Sequence, residues 1–207
     1  VQSNWLKRLL QQGVRDTVGV VGARIVNRRK SVVSGGVLLG VGSRGVGARC
    51  HEGLHISSPG YMGRAQLAQE MGAVTGLCML VRSSVFQKVG GYDERLETDL
   101  YRDIDLCLRI RQVQKSTIWT PFSTLVYLGD GTGVDGRAYD QRKLEKQIEY
   151  FQDRWLRIVA SDPAHNRNLS LLRTDFSPEI HTVRAWDPEI DNKPRVLSFG
   201  VGSYGSW

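Results

Sequence analysis

The sequence predicts a domain of the α/β class. Its 207 residues, of which 41% are hydrophobic, are enough for one domain with a buried core. Val-rich apolar runs that are typical of buried strands, such as Val18–Val26, alternate with segments whose apolar residues recur at helical spacing, such as Asn4–Gln12. Strands that alternate with helices are typical of layered α/β architectures.

The N-terminal part of the chain begins with the helix Asn4–Gln12, which Gly13 ends. The buried strand Val18–Val26 follows. In the Gly- and Ser-rich stretch after it, residues 32–33 and 37–39 are predicted to form the two strands of a twisted hairpin, with glycines at the bends.

The middle of the chain contains a loop, a strand and a short helix. Residues 51–63 hold two histidines together with Pro and Gly, and they predict the loop. The strand is Cys78–Val81. The short helix is predicted because residues 84–87 have capping-box spacing and Gly90–Gly91 would close the last turn.

Two further helices flank a second extended segment. The first is predicted over Asp103–Gln112 and the second over Arg137–Ala160, while Thr117–Leu128 is extended with Pro121 near a strand edge. The long helix carries an apolar stripe that predicts one buried face. The stripe consists of Leu144, Ile148, Phe151, Trp155 and Ile158.

The C-terminal part of the chain has a different character. Residues 162–193 are polar and irregular, and residues 195–199 resemble a new strand. Residues 200–205 read Gly-x-Gly-x-x-Gly, a weak fingerprint because no helix is visible after it. We therefore interpret residues 177–194 as a linker and residues 195–207 as a candidate first strand of a following domain.

Charge and cysteine usage bound the class of partner. The net charge is +7, but the Lys and Arg residues are scattered, so nucleic-acid binding ranks last and is not expected. Nucleotide phosphates, acidic glycans or the inner membrane surface are the anionic partners that we expect instead. Cys50, Cys78 and Cys107 lack disulfide or zinc spacing, which predicts small buried side chains in a reducing cytoplasm.

A series of motifs runs in order along most of the chain and resembles the acceptor-side part of family 2 glycosyltransferases. Residues 162–169 are similar to a segment of the bacterial surface-polysaccharide and rhamnan-type members of that family. The match extends from about Trp5 to Phe176. The other motifs are Pro59–Arg64, Ala73–Phe86, Val89–Glu94, Asp103–Arg111 and Trp119–Phe122.

The resemblance implies a GT-A fold, of which residues 1–176 would be the acceptor-side half. In the family, the Asp-x-Asp motif that holds a divalent metal precedes a Trp-Leu pair that matches Trp5–Leu6. The chain would thus lack its N-terminal nucleotide-binding half. The implied partners are a nucleotide-sugar donor and a glycan or lipid-linked glycan acceptor, and the implied cofactor is Mg or Mn, with its main ligands upstream.

The resemblance also implies that Asp103 is the general base, which takes the proton of the attacking hydroxyl. We expect the N-terminus of its helix to lower its pKa. The alternative is an N-cap acid without chemistry. Asp105 completes a second Asp-x-Asp, but side chains at i and i+2 of a helix diverge by about 200° and cannot easily share an ion. Asp105 is a candidate acceptor contact, with pairing to Arg109 favoured.

For the other candidate site residues, a purely structural role is the alternative to a role in binding. Thr75 and Gly76 would lie at the acceptor pocket or form a tight turn. Trp119 would stack on a sugar or belong to the core. Arg109 and Arg111 would reach donor phosphates or form salt bridges.

Metal binding is the point at which the sequence departs from the family. Relatives commonly carry a His pair where this chain has residues 125–133, so Asp130 is only a weak candidate ligand. Metal binding could be rebuilt, the activity could be metal-independent, or catalysis could be lost. His51 and His55 are not expected to form a metal site, because Gly53 and the surrounding loop argue against a helix.

The leading functional hypothesis is an inverting sugar transfer from a nucleotide sugar to a glycan, in bacterial cell-surface polysaccharide synthesis. We expect the isolated chain to be inactive, since donor ligands would lie upstream. The alternative is a catalytically degenerate module that binds glycans or acts as a scaffold. A cytoplasmic location is expected, with association at the inner face of the membrane as a further option.

Overall fold

The computed structural model describes residues 3–41, 45–129, 141–166 and 168–179. These residues form four α-helices, seven strands and one 3-10 helix, over Tyr61–Gln66. The α-helices are α1 (Trp5–Gly13), α2 (Ser83–Lys88), α3 (Asp99–Gln112) and α4 (Gln141–Val159). The strands are β1 (Val18–Val26), β2 (Val32–Ser34), β3 (Val37–Leu39), β4 (Gly47–Arg49), β5 (Gln69–Glu70), β6 (Met79–Val81) and β7 (Ser116–Val126).

The central sheet is mixed and is built around β1. This strand is buried along its whole length and pairs in parallel with β7. On its other side it pairs antiparallel with β6 near its start and with β2 near its end, while β5 extends the sheet beyond β7. A strand that is covered on both faces reads as a continuous apolar run, which is why the sequence predicted β1. The α/β class is confirmed.

Pro121 lies in a β-bulge inside β7. The pairing partner of Ala23 is Thr120, but the partner of the next residue, Arg24, is Thr124, so three residues of β7 have no counterpart on β1. Proline has no N–H to donate to a sheet ladder, and a bulge is one of the few sheet positions that accepts it. Pro121 was predicted near the edge of a strand, and the structure places it in a bulge inside β7.

The predicted hairpin between the two short strands is wrong. Residues of β2 pair with β1, while β3 pairs with β4 and makes a bridge from Val37 to Ala73. Gly36 has a φ of 101°, which lets the chain turn away from the β2 direction. The three side chains of β3 are then fully buried in the main core, and this burial outweighs a local hairpin.

The helices confirm the predicted periodicity but not all of the predicted starts. α1 and the described part of α4 lie where they were predicted, while residues 137–140 of the predicted long helix lie outside the described residues. Of the predicted apolar stripe, Leu144, Phe151 and Trp155 are buried, and Ile148 and Ile158 are half-buried. α2 begins at Ser83, and no side chain caps it, so the capping box is not formed. α3 begins at Asp99, one turn before the predicted start, because the buried Tyr101 extends its apolar face backwards.

A buried carboxylate connects α3 with α4. Asp105 is 0% exposed, and its Oδ2 accepts a hydrogen bond of 2.8 Å from Nε of Arg109. Its Oδ1 accepts a hydrogen bond of 2.8 Å from the indole N–H of Trp155, and Arg154 approaches the same oxygen at 3.4 Å. The predicted pair of Asp105 with Arg109 is thus present, and Trp155 and Arg154 complete it from the second helix.

The segment after α4 is irregular as far as the structure describes it. It returns to the core through Asp162, which accepts a hydrogen bond of 2.9 Å from the backbone of Leu39, and through the buried ring of Phe176. Residues 195–207 and all but the first three residues of the predicted linker lie outside the described residues, so both predictions stay predictions.

The three cysteines lie at least partly inside the fold. All three cysteines are free thiols; Cys50 and Cys107 are buried and Cys78 is half-buried. Two of the three are therefore the small buried side chains that the sequence predicted.

Within the described ranges, no helix has both the length and the apolar character that a membrane crossing needs.

Replacing Asp105 by alanine should destabilise the fold strongly. The variant leaves Arg109 as a buried charge without its carboxylate and removes the acceptor of the Trp155 N–H, a change that costs about 3–5 kcal/mol in other buried pairs. Urea denaturation measures the loss. The matched control is Glu70→Ala, which breaks the more exposed ion pair with Arg111 and should cost no more than about 1 kcal/mol. Equal losses in the two variants would contradict this account.

Candidate active site

A polar cleft lies beside the first two turns of α3. Its cavity volume is about 280 Å³. Small-molecule sites usually enclose about 300–1,000 Å³, so the cleft has room for one sugar ring rather than for a complete nucleotide sugar. The lining residues are Arg49, Thr75, Gly76, Leu77, Tyr92, Asp99, Arg102 and Asp103.

Asp103 places its carboxylate at the wall of this cleft. The residue is only 4% exposed, and its Oδ2 accepts a hydrogen bond of 2.5 Å from the backbone N–H of Gly76. A Cβ at position 76 would lie 2.5 Å from Oδ1 of the same carboxylate. Glycine at this position therefore lets the backbone hold Asp103 directly.

The electrostatics of Asp103 differ from the prediction. Burial raises the pKa of this carboxyl from 3.8 to about 6, and the Gly76 hydrogen bond and the nearby Arg102 charge only partly oppose that rise. We expected the start of the helix to lower the pKa. Because α3 begins at Asp99, Asp103 lies in the second turn, where the N-terminal dipole no longer dominates. The N-cap interpretation of Asp103 is wrong for the same reason.

Thr75 and Gly76 lie at the cleft, next to each other in its lining. The side chain of Thr75 is buried, and its hydroxyl accepts a hydrogen bond of 3.1 Å from the N–H of Leu77. Gly76 is exposed to the cleft. Thr75 thus forms the predicted local turn, and Gly76 offers backbone to the cavity, while a contact of this segment with an acceptor stays a prediction.

Four further lining residues surround the carboxylate with charge and one aromatic ring. The guanidinium of Arg102 forms an ion pair of 2.7 Å with Asp99 and lies 5.0 Å from the centre of the Tyr92 ring. Arg49 reaches the cleft from β4. The spacing of Asp99 and Arg102 fits an i,i+3 ion pair on a helix. Nothing in the sequence indicated that Arg49 and Tyr92, which come from two other segments, would join them at one cleft.

Four predicted site residues do not reach the cleft. Asp105 points to α4, as the divergence of positions i and i+2 requires, and Arg109 is buried against it and against the carbonyl of Val89. Trp119 is only 1% exposed, and its ring packs 5.4 Å from that of His51, so it belongs to the core. Arg111 pairs with Glu70 at 2.6 Å. The acceptor and phosphate contacts predicted for these side chains gain no support from their positions.

The described residues do not fit a divalent metal. Among residues 3–41, 45–129, 141–166 and 168–179, no group of three or more His, Cys, Asp or Glu converges on one point. In the cleft, Asp99 is already paired with Arg102, and Asp103 and Asp105 diverge. Asp130, the weak candidate from the sequence, lies outside the described residues.

The two histidines that are four residues apart lie in different surroundings. His51 is buried between aromatic rings, and burial lowers its pKa to about 4. His55 is exposed, and its Nδ1 lies 2.7 Å from the hydroxyl of Ser57. The first histidine serves the core and the second a surface turn.

The fold and the cleft define a mixed α/β domain with a buried carboxylate in a site the size of one sugar. The chain matches no protein-family model. It is 32% identical over 178 residues, 85% of its length, to uncharacterized protein y4gI of Sinorhizobium fredii (strain NBRC 101917 / NGR234). It is 30% identical over 184 residues, 87% of its length, to the O-antigen biosynthesis protein RfbC of Myxococcus xanthus.

Both relatives are much longer than this chain. The similar region spans 19% of the Sinorhizobium protein and 14% of the Myxococcus protein. The similarity therefore concerns one region of each relative and not its whole length.

Replacing Asp103 by asparagine should stabilise the protein above pH 6. A carboxyl whose pKa is raised on folding favours the folded state below about pH 4, and this contribution is lost as the pH rises through about 6. The ionised carboxylate therefore costs the folded state on the order of 3 kcal/mol at pH 7.5, and the amide avoids this cost while it still accepts the Gly76 hydrogen bond.

Urea denaturation at pH 7.5 and at pH 4.5 measures the effect, with Asp153→Asn on the exposed side of α4 as the control for charge. The gain from Asp103→Asn should shrink at the lower pH. A variant that is less stable than the parent at both pH values would contradict the raised pKa.

Proposed function

We propose that this chain is the acceptor-side part of a glycosyltransferase of the GT-A type, which transfers a sugar from a nucleotide sugar to a glycan by inverting displacement. The process would be the synthesis of a bacterial surface polysaccharide. The observation that carries the proposal is the carboxylate of Asp103, which is held at the wall of a sugar-sized cleft. The similarity to an O-antigen biosynthesis protein supports the polysaccharide context.

Asp103 has the role of general base in this proposal. The acceptor hydroxyl gives its proton to the carboxylate while its oxygen bonds to the anomeric carbon of the donor. The bond from that carbon to the diphosphate breaks, and the nucleotide diphosphate leaves with the electron pair. Attack opposite the leaving group inverts the anomeric centre.

The raised pKa favours this role more than the lowered pKa that the sequence led us to expect. A general base is most effective when its pKa lies near the working pH, because it is then ionised and still basic enough to take the proton. A pKa of about 6 leaves most of the carboxylate ionised at pH 7. A carboxylate with a lowered pKa would be a weaker base.

The donor and the metal belong to the part of the proposal that rests on the resemblance. The described cleft has room for an acceptor sugar, and the relatives are five to seven times longer than their similar regions. As the resemblance implies, the proposal gives the binding of the nucleotide sugar, and of the Mg or Mn that an Asp-x-Asp motif would hold, to residues other than those of the described cleft. No step above depends on a metal held by the described residues.

A glycan-binding or scaffolding module without catalysis is the second candidate. The observation that favours it is the sequence at residues 125–133, where Tyr127 and Leu128 occupy a region in which members of the family that the sequence resembles carry histidines. Such a module would use the same cleft for its glycan. Its signature would be glycan binding by the full-length protein without any turnover of nucleotide sugars.

Location and association follow from the same proposal. Nucleotide sugars are made in the cytoplasm, so the proposed reaction places the domain there. The net charge of +7 would favour peripheral contact with the anionic inner face of the membrane, where a lipid-linked acceptor would be presented.

Replacing Asp103 by asparagine in the full-length protein should abolish transfer. Loss of a general base lowers kcat by about 10²–10⁴-fold, while acceptor binding should persist because the amide keeps the shape of the site. A panel of nucleotide sugars with a purified glycan acceptor measures transfer. The control is Asp153→Asn. Retained turnover in the Asp103 variant would remove the base assignment.

The activity of the parent protein should fall below pH 6. Protonation of Asp103 removes the base, so kcat/KM should decrease about tenfold for each pH unit below a pKa of about 6. A pH–rate profile measures the acid limb. An activity that stays constant down to pH 4.5 would contradict the role of this carboxyl.

The 207-residue chain alone should be inactive. In the proposal the donor is bound outside this chain, so the isolated chain would bind an acceptor without a donor beside it. Transfer and donor hydrolysis are assayed with the same panel of nucleotide sugars. Transfer by the isolated chain would contradict the division of donor and acceptor functions.

A further inference from the structure

Tyr92 is the aromatic side chain that lines the cleft. It is 39% exposed, whereas Trp119, which the sequence offered as a stacking residue, is buried in the core. A partly exposed aromatic ring beside carboxylates combines an apolar face with hydrogen-bond acceptors. Sugar rings have the complementary surface, with patches of C–H groups between hydroxyls.

Neighbouring residues fix the position of the Tyr92 ring. Gly90 and Gly91 both have positive φ values, of 80° and 70°, and they turn the chain sharply after α2 so that Tyr92 reaches the cleft. The ring of Phe86 packs edge-on at 5.9 Å, and the Tyr92 hydroxyl lies 3.8 Å from Sδ of Met79.

Arg102 connects this ring to the acids of the cleft. Its guanidinium lies 5.0 Å from the ring centre, within the range of a cation–π contact, and it is paired with Asp99 at 2.7 Å. The next residue in the chain is Asp103. The charge of Asp103 also contributes to a raised pKa of Tyr92, behind burial as the main cause, which agrees with their proximity.

Among the residues that the structure describes, the charges of the cleft lining balance. Two guanidinium groups, of Arg49 and Arg102, face two carboxyl groups, of Asp99 and Asp103. Because the described lining groups balance in charge, they give a uronic acid or a phosphorylated sugar no local electrostatic advantage over a neutral one. A neutral sugar can instead satisfy the carboxylates with its hydroxyls.

We propose that Tyr92 is the platform on which a neutral acceptor sugar stacks, and that Arg102 is a positioning residue that orients the ring. This inference rests on the proposed function, because it names the class of acceptor for the same cleft. Stacking on Tyr92 would turn a hydroxyl of the sugar toward Asp103. Arg102 would keep the ring in place from one side while its pairing with Asp99 holds the guanidinium.

The test measures glycan binding, which does not require transfer. The 207-residue chain is applied to an array of neutral and acidic bacterial surface glycans, and the Kd of the best binder is then measured by titration calorimetry. Tyr92→Phe keeps the ring, and Tyr92→Leu keeps an apolar side chain without it. Phe122→Leu is the matched control, because Phe122 is an exposed aromatic residue that does not line the cleft. Thermal melting verifies that each variant is folded.

We expect the best binder to be neutral. Tyr92→Leu should raise its Kd by about fivefold to tenfold, within the range of aromatic contacts, whereas Tyr92→Phe and Phe122→Leu should stay within about twofold. Arg102→Gln should give an intermediate loss, and Arg102→Lys, which keeps the charge near the ring, should recover part of it.

Other outcomes separate this inference from the proposed function. Unchanged binding by a folded Tyr92→Leu variant, or binding of acidic glycans alone, would overturn the platform for neutral sugars and leave the transferase proposal standing. If no glycan binds, the platform falls. The Asp103 transfer assay in the full-length protein then shows whether the transferase proposal falls with it.

Discussion

The orientation of α3 depends on the buried carboxylate of Asp105. Its bonds to Arg109 and to the indole of Trp155 fix one side of α3 against α4. Because residues two positions apart on a helix point in nearly opposite directions, this contact turns Asp103 toward the cleft. The Asp-Ile-Asp sequence thus contains a proposed catalytic acid, Asp103, and a structural acid, Asp105. The packing of Asp105 determines the direction in which Asp103 points.

The environment of Asp103 shows how a carboxylate can be buried and still be ionised at neutral pH. Desolvation disfavours its ionised form, whereas the Gly76 N–H and the Arg102 charge favour that form. Desolvation is the largest of these effects, so the folded state carries an energetic cost at neutral pH. A cost of this kind is common at functional sites, where the fold holds a group away from its most stable ionisation state.

Periodic elements were predictable from the sequence, and contacts between distant segments were not. β1 and α4 have apolar patterns that leave one interpretation, and both were found in place. The start of α3 was missed because the burial of Tyr101 is a tertiary effect, and that error carried over to the pKa of Asp103. The sequence offered Trp119 as the stacking residue, and only its packing in the core shows that its ring does not reach the cleft.

The parallel pairing of β1 with β7 has a consequence for how the molecule folds. The side chain of Arg24 on β1 bonds Thr124 on β7, 100 residues further along the chain. All of the segments that line the cleft lie inside the loop that this pairing closes. Closing so long a loop is entropically unfavourable and slow. The favourable free energy of strand pairing compensates for this cost only once the strands are aligned. We therefore expect the cleft to be assembled late, in the same step that completes the central sheet.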